Sequence, residues 1–224
     1  MNNVIKAQHK DWHTTFVLSS SPCFLVLLYY FGRFPFFYES VAPHLPRTWD
    51  LELAGHLYLA AVSLITRTLL PLLCIIFVLR KKPPAFGYRV KGPRHLTGLY
   101  LVFLVLLLPV IFFASKQPAF HDHYPLYSGA GNSLFYLFIY EFSYLLVFFS
   151  GESFWRGYML FGLAPRFGLY AIGIMALPYV MIHYGKPAPE AFGALIAAVV
   201  LGYLALKHKS FWLGVALHFS VAFS

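Results

Sequence analysis

Charge is what this sequence has least of. Only 11% of its 224 residues are charged, against about 25% in a soluble domain. The acids number eight: Asp11, Glu39, Asp50, Glu52, Asp122, Glu141, Glu152 and Glu190. So few charges cannot cover a water-facing surface, which excludes a soluble globular protein and points to the membrane. The 59% hydrophobic content and the mean hydropathy of +0.67 agree. Cysteine is nearly missing as well. Cys23 and Cys74 both lie in apolar runs, so they read as buried thiols and exclude a disulfide framework. No small-residue cleavage site follows the first apolar run, which therefore reads as a retained span. With no internal repeat, low-complexity tract or linker, residues 1–224 read as a single membrane domain.

What the chain does have is long apolar runs. Seven spans can be drawn, at residues 15–36, 54–79, 96–114, 133–161, 168–183, 191–206 and 211–224. The fold class is thus all-α, a multi-pass transmembrane bundle of about seven helices. A span needs about 20 residues at 1.5 Å each, so the fourth overshoots the bilayer. The last three are short, as suits helices around a polar cavity. Pro165 is expected to end the fourth helix, Pro187 with Pro189 the fifth, and Pro178 to kink the fifth.

Basic residues set the orientation. Six of the 17 fall between Arg80 and Arg94 with no acid among them, which marks a cytoplasmic loop facing anionic lipid rather than a nucleic-acid surface. Alternation puts the N-terminus (Lys6, Lys10) inside, with the loops at Arg166 and at Lys207 and Lys209. The loops at 39–50, 116–122 and 186–190 fall outside. The expected location is the cell (inner or plasma) membrane.

The polar residues inside the spans carry the chemistry. An ionised group at mid-membrane costs roughly 2.5–3.5 kcal/mol and usually marks a site with a partner. Glu152 and Arg156 stand at i, i+4 with the acid first, the better order for a helix ion pair. Of ten histidines, His183 and His218 are embedded in apolar spans. Counted from the cytoplasmic ends, Glu152 lies about 18 Å deep, His183 about 22 Å and His218 about 12 Å, at 1.5 Å per residue. Glu52 and His56 read as a surface pair and His121-Asp122-His123 as a solvated turn. Glu141 reads as structural near the outer interface. Arg67 reads as structural too, level with Glu152 and leaning toward the site.

One carboxylate and two imidazoles allow two chemistries. Glu152, His183 and His218 could ligate zinc with an open fourth position. Alternatively Glu152 acts as general base on a water while the imidazoles stabilise the oxyanion. Both hydrolyse a carbonyl compound inside the membrane. Bis-histidine haem ligation is a remoter alternative, because it leaves Glu152 and Arg156 without a purpose.

Three motifs in order resemble those of the CPBP intramembrane proteases, the CAAX-protease and bacteriocin-processing (Abi) family. Gly151-Glu152-Ser153-Phe154-Trp155-Arg156-Gly157 is similar to its Glu-x-x-x-Arg motif. Tyr179-Val180-Met181-Ile182-His183 is similar to its Phe-x-x-x-His motif, with Tyr for Phe, and Leu217-His218-Phe219 to its third, His-centred motif. Residues 133–224 would form the protease core. The resemblance implies an endopeptidase acting on prenylated or secreted peptide or protein substrates, with Glu152, Arg156, His183 and His218 catalytic. The fullest form of the first motif has two adjacent glutamates, and Gly151 stands at the first. Ala222 stands where the family often has Asn or Asp. These departures favour a second reading, a catalytically silent binding or immunity protein on the same scaffold. A peptide substrate and the lipid bilayer are the expected partners, with no nucleic acid.

Overall fold

A computed structural model describes residues 11–89 and 94–223. Lys6, Lys10 and Lys91, part of the charge argument, lie outside the described residues. Among the described residues seven apolar helices make up the bundle: α1 (Trp12–Phe31), α2 (Leu51–Val78), α3 (Arg94–Ser115), α4 (Leu134–Phe167), α5 (Tyr170–Met181), α6 (Ala188–His208) and α7 (Trp212–Phe223). No strand occurs among the described residues. Five helices are long and apolar enough to cross a membrane, while α5 and α7 are shorter. The chain is a multi-pass membrane protein.

Local chemistry sets most of the boundaries. The Asp50 carboxylate caps α2 by accepting the Leu53 N–H at 3.0 Å, and the Ser133 hydroxyl caps α4 by accepting from Tyr136 at 3.2 Å. Each pairs a donor that the first turn of a helix leaves orphaned. Pro165 does not end α4. Its fixed φ is itself helical, and the helix runs on to Phe167. The stop is Gly168, at φ +54°, a conformation that suits glycine. Pro187 and Pro189 start α6 instead of ending α5, which has already finished at Met181; proline fits a helix start, where its missing N–H is not needed. The first span likewise breaks at Gly32, and α6, at 21 residues, is not short.

Residues 150–160 of α4 are buried without exception, which makes this stretch the axis of the molecule. Phe154, Trp155, Tyr158, Leu160 and Leu163 pack with Ile75 of α2 and Leu79 just after it, Val17 and Phe24 of α1, and Ala171, Ile172 and Met175 of α5. The fourth helix is also locally underwound and wider: Ser153–Met159 has i→i+5 hydrogen bonding, a form often found at functional sites. Ile65–Leu69 of α2, which packs beside it, is wound in the same way. Pro71 has no N–H to offer the Arg67 carbonyl one turn earlier, and that carbonyl accepts from Ser153 Oγ at 3.2 Å. Thr68 and Ser153 hydroxyls meet at 2.7 Å. By contrast α3 lies on the outside, held to α7 by Tyr100 with Ser220 at 2.7 Å.

The loops assigned to each side gather at opposite ends. At one end the Tyr127 hydroxyl donates to Asp50, the Ser128 N–H to Glu52 at 2.9 Å and the Tyr124 hydroxyl to Glu190 at 2.8 Å. At the other, Arg166 pairs with Asp11 at 3.4 Å and Ser210 Oγ donates to the Arg89 carbonyl at 3.0 Å. The expected surface pair of Glu52 and His56 is not formed. His56 is 7% exposed; its ring shares a hydrogen bond with the Leu126 carbonyl at 3.2 Å and packs edge-on against Phe34 and Tyr140.

Candidate functional site

Three helices bring polar side chains to one place beside the axis of α4, and a fourth adds a backbone carbonyl. Glu152 and Arg156, one turn apart, form a buried ion pair at 2.6 Å, with 2% and 0% of their side chains exposed. Arg156 has more to hold it. Its second terminal nitrogen donates to the Ala197 carbonyl of α6 at 3.3 Å, and its guanidinium lies over the Tyr179 ring of α5, 4.2 Å from the centroid. A cation over an aromatic face gains on the order of 2 kcal/mol when desolvated.

α7 supplies His218, whose Nδ1 lies 2.8 Å from the same Glu152 oxygen. Facing a carboxylate, Nδ1 must carry the proton and donate. In a neutral imidazole Nε2 is then the acceptor, and the Tyr179 hydroxyl donates to it at 3.2 Å. Phe148, one turn before Glu152, stacks parallel to the His218 ring with centroids 5.6 Å apart. The result is a continuous chain Arg156–Glu152–His218–Tyr179. His218 is its more open member, with 23% of its side chain exposed against 2% for Glu152.

His183 joins this chain through Tyr179 rather than through Glu152. Tyr179 lies in the last turn of α5, where carbonyls lack helical partners, and its carbonyl receives His183 Nδ1–H at 2.8 Å. The rings of Tyr179 and His183 are 4.8 Å apart. His183 Nε2 is therefore also left as an acceptor.

The second oxygen of Glu152 is buried without a hydrogen-bond partner. It rests against Gly214 of α7, where an added Cβ would overlap it and come within 2.7 Å of the carboxyl carbon. Glycine at 214, one turn before His218, is what lets α7 approach the acid. Arg67 is buried on the other side of the 150–153 turn. It donates to the Val147 carbonyl at 3.1 Å and to Ser150 Oγ at 2.9 Å, and forms no ion pair with Glu152. Glu141 is 9% exposed, and one of its carboxylate oxygens lacks a hydrogen-bond partner.

Zinc needs three protein donors converging on one point at about 2.0–2.3 Å. Here one Glu152 oxygen already serves Arg156 and His218, the other is packed on Gly214, and His183 is turned toward the Tyr179 carbonyl. Among the described residues no group of three His, Cys, Asp or Glu side chains could hold a metal ion. As arranged, Glu152, His183 and His218 do not fit the zinc set expected from sequence.

Gly214 escaped the sequence reading, although a small residue one turn before an embedded histidine was a signal. Tyr179 was read as a motif position, one turn before the other histidine, without a role of its own. The side chain of Ala222 is not among those described.

Residues 132–224 match the sequence profile of a family described as type II CAAX prenyl endopeptidase Rce1-like. No curated protein and no solved structure matched the chain.

Proposed function

We propose, from the match of residues 132–224 to the type II CAAX prenyl endopeptidase Rce1-like family, that this chain is an intramembrane endopeptidase whose water is activated by His218. The observation that carries this reading is the chain Arg156–Glu152–His218–Tyr179, buried except at its part-exposed imidazole. Glu152 is poorly placed to touch a water itself, since both its oxygens are engaged or enclosed. It acts instead as a positioning residue that fixes the His218 tautomer and stabilises the imidazolium, with Arg156 keeping it ionised.

In the reaction the peptide carbonyl enters beside Tyr179. His218 Nε2 takes a proton from water as the water oxygen bonds to the carbonyl carbon. The carbonyl π pair moves onto oxygen, and the Tyr179 hydroxyl, released from Nε2, donates to the oxyanion. The oxyanion then re-forms the carbonyl, the C–N bond breaks, and His218 returns its proton to the departing amine. His183, with Nε2 unprotonated, is a second acceptor at the same opening. The substrate is a peptide segment of a membrane-associated protein, prenylated or secreted. The basic 80–95 segment and the N-terminus are assigned to the cytoplasmic side on loop charge.

A specific observation favours the second reading, a silent binding protein. Gly151 stands in place of a carboxylate, and no carboxylate oxygen in the site is open to water. Cleavage of a prenylated reporter peptide by purified protein separates the two. The protease reading expects turnover, lost at least about 100-fold in His218→Gln and Glu152→Gln. Turnover no different from His218→Gln and Glu152→Gln supports the silent reading.

A further inference from the structure

Tyr29, Tyr30, Arg33, Pro35, Phe36 and Glu39 line a cavity of about 370 Å³, within the roughly 300–1,000 Å³ that small-molecule sites span. It is open to the surroundings, with Tyr29 58% and Tyr30 64% exposed. None of its residues belongs to the site around Glu152.

The helices that hold this cavity set its level in the bilayer. Tyr29 and Tyr30 stand in the last turn of α1, and Gly32 ends the span. Residues 34–44 continue in three short helical turns packed against the start of α2. Phe34 meets His56 edge-on there, and Gly55 admits it, since a Cβ at 55 would come within 2.6 Å of the Phe34 ring. Tyrosines and charges at the end of a span lie among lipid headgroups. The wall is braced from behind: Phe36 stacks on Tyr58 and meets Phe31 edge-on, and the Tyr58 hydroxyl donates to the Phe31 carbonyl.

Two opposite charges face the cavity without meeting. Among the described residues Arg33 pairs with no acid and Glu39 with no base. Arg33 lies over the Tyr29 ring, 4.9 Å from its centroid, which holds the cation at one wall.

We infer that this cavity binds the headgroup of a phosphatidylethanolamine, with the phosphate at Arg33 and the primary ammonium at Glu39. The acyl chains then run down α1 over Val26 and Leu27, exposed one turn deeper. A zwitterion matches a site with one charge of each sign, and both contacts are charge-assisted hydrogen bonds. Phosphatidylglycerol brings the phosphate alone, which Glu39 repels. A choline headgroup carries both charges, but its methylated nitrogen has no N–H for Glu39, and a Tyr29 face that could hold it is covered by Arg33.

The test is thermal unfolding of the delipidated full chain in neutral detergent, followed by tryptophan fluorescence, with lipids of identical acyl chains added in turn. Phosphatidylethanolamine is expected to raise Tm saturably. It should half-saturate at a concentration at least about tenfold below phosphatidylglycerol or phosphatidylcholine, as the loss of one charge-assisted hydrogen bond dictates. Arg33→Gln and Glu39→Gln should each weaken the response at least about tenfold. Both side chains are exposed, so neither change touches the packed interior. The inference is overturned if no lipid shifts Tm, if the three lipids act alike, or if either variant responds as the wild type does. It is overturned too if glycerophosphoethanolamine, the headgroup without acyl chains, saturates at the same concentration as the lipid. Peptide cleavage has no part in this outcome.

Discussion

Arg156 holds the site together because every group around it depends on its charge. It neutralises Glu152 at 2.6 Å and lies over Tyr179, and both are buried. Removing one partner of a buried pair leaves an uncompensated charge and costs about 3–5 kcal/mol, whereas replacing both can be nearly neutral. Arg156→Met is therefore expected to destabilise by about that amount. The double variant Glu152→Gln/Arg156→Met should recover most of the loss without recovering turnover. Denaturation of the purified variants in micelles checks this, and a double variant no more stable than Arg156→Met alone would count against the ion pair as the cause. The pair was legible in the sequence, since i, i+4 spacing and a membrane environment together leave little choice. His218 was legible by depth. What could not be read was which atom meets which. That Tyr179 links the two histidines, and that Glu152 turns toward Gly214, depend on how α5 and α7 lean on α4.

α2 and α4 meet where each is locally widened, at Ile65–Leu69 and Ser153–Met159. The contact is polar at its centre. Thr68 and Ser153 hydroxyls lie 2.7 Å apart, and Ser153 also donates to the carbonyl that Pro71 leaves free. A buried hydrogen bond contributes about 1 kcal/mol net. Thr68→Val and Ser153→Ala are each expected to cost roughly that much. A double-mutant cycle should then return a coupling of about 0.5–1.5 kcal/mol, and additive losses would show that the hydroxyls do not act on each other. The seven helices were legible because apolar length is a strong signal. Their ends were less so: proline at 165 looked like a stop, yet its backbone angle is helical and Gly168 is the true exit. The wide turns were not read from the sequence, although Pro71, which leaves the Arg67 carbonyl free, marks one of them.

The bundle as a whole has two ends, and the loops sort between them by charge. Loops bearing Asp50, Glu52 and Glu190 are tied together at one end through Tyr127, Ser128 and Tyr124. The loops holding Arg89, Arg166 and Ser210 lie at the other with Asp11. Hydrogen bonds fix which loops share an end, but the side each end faces rests on the excess of basic residues between Arg80 and Arg94. A background lacking the native thiols, Cys23→Ser with Cys74→Ala, allows single exposed positions to be labelled in intact cells. Lys82→Cys is expected to react with a membrane-impermeant maleimide only after permeabilisation, and Gln117→Cys without it. The reverse pattern would invert the protein in the membrane while leaving the helices and the site unchanged. Labelling of both positions from one side would break the odd number of crossings that separates them, and with it the assignment of α3 as a span.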